Sequence, residues 1–177
     1  ADTCAFEDVP AGAWYHTPVC TMAKLGILTG RSETAFVPSA PITRAEFAAI
    51  CARFDDEQTT GVRRFTDLDG HWAKAEIERA AALGWVQGDP DGRFRPNDYI
   101  TRAEAMTMIN RVLCRTPETA DDLCSGMHIW PDNQPGTWYY LAVQEATNSH
   151  AFVPKGSVYE TWTALTADPD WSRYTSR

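Results

Sequence analysis

The sequence has no long apolar run. Nothing in it approaches the roughly 20 consecutive apolar residues of a membrane-spanning helix, so membrane insertion is not expected. Positive charge is scarce, with 16 Lys and Arg against 24 Asp and Glu and a formal net charge of −8. Nucleic acid demands a basic face to meet its phosphates, so no nucleic-acid partner is expected. A few placed arginines remain compatible with a small anionic ligand. The five cysteines, Cys4, Cys20, Cys51, Cys114 and Cys124, include no C-x-x-C spacing. His16, His71, His128 and His150 show no spacing suited to a metal or a catalytic triad. No metal site is therefore expected. Asp89-Pro90-Asp91-Gly92 opens like a calcium loop, but its twelfth residue is Ile100, where such a loop needs a glutamate. No nucleophile elbow, zinc-protease histidine pair or phosphate loop occurs. The expectation is a protein without cofactor that is not an enzyme.

What the chain does contain is apolar material for a core and an internal repeat. Apolar residues make up 44% of the 177 positions and charged residues 23%, which argues for a packed fold rather than disorder. Residues 14–47 and 72–105 align at a constant offset of 58 without a gap. Trp14 meets Trp72, Leu25-Gly26 meets Leu83-Gly84, Gly30 meets Gly88, and Phe36 and Pro38 meet Phe94 and Pro96. Ile42-Thr43-Arg44-Ala45-Glu46 meets Ile100-Thr101-Arg102-Ala103-Glu104. Upstream, Phe6-Glu7-Asp8 matches Phe65-Thr66-Asp67. A third copy opens at Trp130-Pro131-Asp132, with Trp138 at the tryptophan position and Phe152-Val153-Pro154 at the F-x-P position. Its tryptophan-to-phenylalanine gap is 14 residues against 22, so about eight residues are missing, both loop glycines among them. Fixed-period self-similarity of this kind is the mark of a repeat architecture.

Each intact copy reads as helix, glycine loop, short extended piece, helix. Gly26 and Gly84 stand where a helix ends on a left-handed residue. T-x-x-E at Thr43 and Thr101 is a capping box opening the second helix. Phe47, Ile50, Cys51 and Phe54 follow at helical spacing, as do Met106, Ile109, Val112 and Leu113. In the third copy, Ser157 and Glu160 form a displaced S-x-x-E box, and a second helix is expected there too. Glu160 then replaces the arginine, which predicts at most two sites for a small acidic ligand. Trp138, Leu141, Val143, Phe152, Trp162 and Leu165 are expected in a core. The expected divisions are 1–60, 61–116 and 117–177.

Arg44 and Arg102 are the leading candidate binding residues. A cation in the first turn opposes the helix dipole, so its recurrence in both copies points to a bound carboxylate. Removing either is expected to leave folding intact. Glu46 and Glu104 cap their helices, with ligand contact as a further role. Gly30 and Gly88 either punctuate the loop or let its backbone approach a sugar. Trp14 and Trp72 either stack on a pyranose or fill a repeat interface.

Among the cysteines, the odd count leaves at least one thiol unpaired in a monomer. Cys114 and Cys124 flank the polar stretch RTPETADDL and are the best-placed pair for a disulfide. Cys51 falls at an apolar helical position and reads as a buried thiol.

Taken together, F-x-D, the tryptophan, L-G-x-x-x-G, F-x-P and I-T-R-A-E, twice at one spacing, resemble the S-layer homology (SLH) repeat. The resemblance covers nearly the whole chain as three copies, the third degenerate. It implies a mainly α fold of three helix-loop-helix repeats in a pseudo-threefold arrangement. It implies non-covalent anchoring of a larger exported bacterial protein to an anionic, often pyruvylated, secondary cell-wall polysaccharide, at the cell surface. Grooves between repeats would hold the sugar, with the TRAE arginine on its acidic group. The alternative is a surface module for protein–protein assembly with vestigial sugar sites.

Overall fold

The computed structural model describes residues 4–55 and 64–169. In the first repeat, α1 (His16–Lys24) leads through the glycine loop to α2 (Arg44–Ala52). In the second, α3 (Lys74–Ala82) leads to α4 (Arg102–Val112). A 3-10 turn at Ala120–Asp122 precedes α5 (Tyr140–Thr147), β1 (His150–Lys155) and β2 (Tyr159–Leu165).

The helix boundaries follow the sequence signals. Gly26 and Gly84 adopt φ of 73° and 76° directly after α1 and α3. Their amides donate to Ala23 O and Ala81 O, and the amides of Ile27 and Trp85 reach back to Met22 O and Ala80 O. That double return satisfies carbonyls a helix end otherwise leaves open. At Thr43 and Thr101 both halves of the capping box form.

The main core joins the two intact repeats. Ala45, Ala48 and Ala52 of α2 meet Ala73, Ile77 and Ala80 at α3, with Phe65, Leu68, Val86, Phe94 and Met108 closing around them. Small side chains on both helices let the backbones come close, and Cys51 is buried among them. Burial pushes its thiol up to about 12. A smaller cluster of Phe6, Val9, Val19 and Cys20 packs under α1.

The segment after α4, where a third repeat is expected, overturns the expected mainly α, pseudo-threefold architecture. It has one helix followed by an antiparallel hairpin, giving a small mixed fold. β1 and β2 pair from His150↔Leu165 to Lys155↔Tyr159, with an irregularity between Ala151 and Phe152. The supposed capping box at Ser157 and Glu160 is the hairpin's turn and second strand. Pro154 and Gly156 break a helix here, while Val153, Tyr159, Thr161 and Trp162 favour a pleated surface. Nor is the interior the expected apolar one. Trp162 is buried, but Trp138, Phe152 and Leu165 are exposed, and the buried set includes Asn133, Gln144, Glu145 and Glu160.

The disulfide also differs from the expectation. Cys4 pairs with Cys20, tying the segment before α1 to that helix, while Cys114 and Cys124 are free thiols. Cys114 stands directly after α4 with φ of 53°, in the position that glycine takes after α1 and α3. Its loop to Cys124 is organised instead by Asp122.

Candidate functional site

A groove of about 600 Å³ runs along the first repeat and is closed on one side by the second. Its apolar wall comes from Phe36, Phe47, Ile50 and Phe54, and its rim includes Gly30, Arg31, Glu46, Arg53 and Trp72. The second repeat contributes Trp72, 64% exposed, and Ile109. Three of the residues expected from sequence, Gly30, Glu46 and Trp72, therefore meet in one place.

The cations of this groove are not the expected ones. Arg31 Nη1 donates to Glu46 Oε1 at 2.5 Å, and its Nη2 reaches Pro41 O at 3.3 Å. Glu46 thus caps α2 and anchors a guanidinium at the rim together. Arg53, at the end of α2, donates to Ile27 O at 2.8 Å and also faces the groove. Arg31 carries no repeat signal in the sequence, because its counterpart in the second repeat is Asp89.

Arg44 has a different task. It is 3% exposed. Its Nε donates to Phe94 O at 2.9 Å, its Nη1 lies 2.8 Å from Glu104 Oε1, and its guanidinium sits 4.8 Å from the centre of the Phe94 ring. The free amides inferred for this helix start are taken as well: Arg44 N and Ala45 N donate to Asp98 O and Pro96 O. Arg44 is a fastener between repeats. Arg102 is exposed, and among the described residues it has no hydrogen bond or ion pair. Glu104 caps α4 and accepts Arg44, with Arg95 Nη2 at 3.7 Å. Trp14 is 89% exposed but lies outside the groove.

The loop glycines have an intramolecular reason. A Cβ on Gly30 would meet the Phe6 ring at 2.5 Å and Ala35 O at 2.6 Å; one on Gly88 would meet Arg93 O at 2.5 Å and the Phe65 ring. The F-x-D phenylalanine packs under the loop glycine in each copy. The F-x-D aspartate fixes the other end. Asp8 accepts from the amides of Phe36 and Val37, and Asp67 from those of Phe94 and Arg95. These amide bonds hold the Asp8 carboxyl below its ordinary value. They also pin Val37 and Arg95 at φ of 60° and 57°, a region costly for side chains other than glycine.

The S-layer homology domain family matches residues 5–48 and 64–106. Both intact repeats are S-layer homology domains, and the chain belongs to that family through them. It is similar to a cellulosome-anchoring protein of Acetivibrio thermocellus, 32% identical over 83% of this chain and 33% of that protein. It is similar to cell surface glycoprotein 1 of the same organism, 29% identical over 84% of this chain and 7% of the glycoprotein. An amylopullulanase of Thermoanaerobacterium thermosulfurigenes is 35% identical over 61% of this chain and 6% of the enzyme. The chain thus spans a third or less of the length of these relatives. No helix among the described residues is long and apolar enough to cross a membrane.

Proposed function

We propose that this chain is an anchoring module of the bacterial cell surface, which holds a larger exported protein to the wall by binding an anionic secondary cell-wall polysaccharide without a covalent bond. The observation that carries this reading is the groove between the intact repeats. An exposed indole, Trp72, offers a stacking face to a pyranose, and two guanidiniums, Arg31 and Arg53, stand ready for an acidic substituent such as a pyruvate ketal. Membership of the S-layer homology family and the surface location of named relatives support it. The match to an amylopullulanase fits the same role, since the shared part is a small fraction of that enzyme.

The test is sedimentation with purified wall sacculi, before and after extraction of the polysaccharide. Binding should vanish with the polymer. Trp72→Ala and Arg31→Ala should each weaken it about tenfold or more, the range for a lost charged hydrogen bond or stacking contact. Retention on polymer-free sacculi would favour protein–protein assembly instead.

A further inference from the structure

The deletion in the third repeat does more than remove a loop. In the intact repeats the F-x-D ring is covered by the loop glycine, and Phe6 and Phe65 are buried. The equivalent ring in the third repeat is Trp130, and the loop that would cover it is missing. Trp130 is 37% exposed and lines a cleft of about 370 Å³.

The walls of this cleft are held from behind. Trp130 Nε1 donates to Thr147 Oγ1 at 2.9 Å, and the His128 ring packs edge-on against the indole at 4.1 Å. The backbone of His128 is fixed at both ends. Its amide donates to Asn148 Oδ1 at 2.7 Å, and its carbonyl accepts from Gln144 Nε2 at 2.9 Å. Ser149 Oγ donates to Asp168 Oδ1 at 2.7 Å. Three polar groups lining the cleft have no hydrogen bond to any described residue: the His128 ring nitrogens, the Thr166 hydroxyl and Asp168 Oδ2. Among the described residues no lysine or arginine lines it.

We infer that this cleft is a second binding site, for an uncharged pyranose, stacked on Trp130 and held through its hydroxyls by Asp168, Thr166 and His128. A carboxylate oxygen suits a pair of neighbouring sugar hydroxyls, and an aromatic face suits the C–H side of the ring. With an acid and no cation, the cleft repels the carboxylate that Arg31 and Arg53 would attract. The preorganised walls keep the ordering cost of binding low. The site does not rest on the reading of the groove between the intact repeats. It gives the third repeat a ligand of its own, where loss of the glycine loop would otherwise suggest a spent copy.

The test is saturation-transfer NMR on the full chain with methyl β-glucopyranoside and methyl N-acetyl-β-glucosaminide, with glucuronic acid as the charged control. At least one neutral glycoside should bind, and glucuronic acid should not compete. Trp130→Ala should weaken binding about tenfold or more. Because loss of the indole bond to Thr147 can disturb the fold, Asp168→Ala and Thr166→Val provide surface variants that should weaken it too. Trp72→Ala, in the groove, should leave it unchanged. Failure of both neutral glycosides to bind overturns the proposal. So does full binding by Asp168→Ala and Thr166→Val, equal binding of glucuronic acid, or loss of binding in Trp72→Ala.

Discussion

Arg44 of α2 reaches 2.8 Å from Glu104 of α4, and the two side chains are 4% and 16% exposed. One residue opens the second helix of the first repeat and the other caps the second helix of the next. Arg102, at the equivalent position of the second repeat, has no such partner among the described residues. Arg44→Ala should therefore destabilise the chain by about 2 kcal/mol or more, since it removes charged hydrogen bonds to Phe94 O and Glu104 from a buried site and leaves Glu104 with Arg95 at 3.7 Å. Arg102→Ala should change stability by no more than about 0.5 kcal/mol, as exposed substitutions do. Urea unfolding of the two variants side by side decides it, and equal midpoints would refute the fastening role.

The second prediction concerns thiols. Alkylation of the denatured, unreduced chain should find three free cysteines, Cys51, Cys114 and Cys124. In the folded chain, exposed Cys114 should react first. Cys51 should stay protected, since burial pushes its thiol up to about 12. Cys4→Ser should lower stability by about 3 kcal/mol, because the bridge closes a loop at a sequence separation of 16. A peptide joining Cys114 to Cys124 in the unreduced digest would contradict the observed pairing.

The intact repeats were legible because their signals are local. A glycine after a helix and a T-x-x-E box each specify geometry within a few residues, and both formed where read. The surroundings of Arg44 are not legible, for the opposite reason. Its neighbours in sequence show an exposed first turn, while its partners, Phe94 and Glu104, lie 50 and 60 positions away. The hairpin is masked in sequence by S-x-x-E, a helix-start signal that competes with Pro154, Gly156 and the β-branched and aromatic residues around them. The polar interior of the third repeat had no signal of its own, since nothing in single-residue patterning says that Glu145 and Glu160 will meet Arg115.

The third prediction separates two glycines that look alike in sequence. Gly84 needs its left-handed backbone but has open space around it; Gly88 has a neighbouring carbonyl where a side chain would go. Gly84→Ala should cost about 1–2 kcal/mol of backbone strain. Gly88→Ala should cost more, about 2–3 kcal/mol, because Phe65 and the loop must both move. Thermal melts should rank Gly88→Ala below Gly84→Ala. The reverse order would show that the loop gives way easily, and that the glycine serves something other than packing.

The last prediction is a pH dependence built on Glu145. Four charged or titratable groups from different elements converge here. Arg115, after α4, forks both carboxylates: it pairs with Glu160 of β2 and lies 3.2 Å from Glu145 Oε1 of α5. His150 of β1 places Nε2 2.9 Å from Glu160 Oε1, 3.2 Å from Glu145 Oε1 and 2.8 Å from Arg115 Nη2. Its Nδ1 is 2.7 Å from Asn148 O, and Trp162 Nε1 donates to Glu145 Oε2 at 2.7 Å. Burial, opposed by the Trp162 hydrogen bond, raises the Glu145 carboxyl above its ordinary value, and the neighbouring Glu160 charge adds to the rise. The native state therefore keeps a proton that the unfolded chain gives up above the free carboxyl's value of about 4.3. The stability it contributes is present at acid pH and is lost as pH rises toward the native value, by up to about 1.4 kcal/mol per pH unit for one proton. On the acid side the sign reverses. Asp122 is held well below the ordinary range by the hydroxyl of Thr161 and the ammonium of Lys155, so its protonation removes stability as pH falls. Unfolding free energy should thus peak near the free carboxyl values of about 4 and decline above them until Glu145 has ionised in the native state. Glu145→Gln keeps an acceptor for Trp162 but cannot ionise, and it should flatten the alkaline limb while leaving the acid limb intact. Urea titrations between about pH 2 and pH 8 read both limbs, the acid one lying below the ordinary aspartate value of about 3.9. An alkaline limb of equal slope in Glu145→Gln would move the titration to another group.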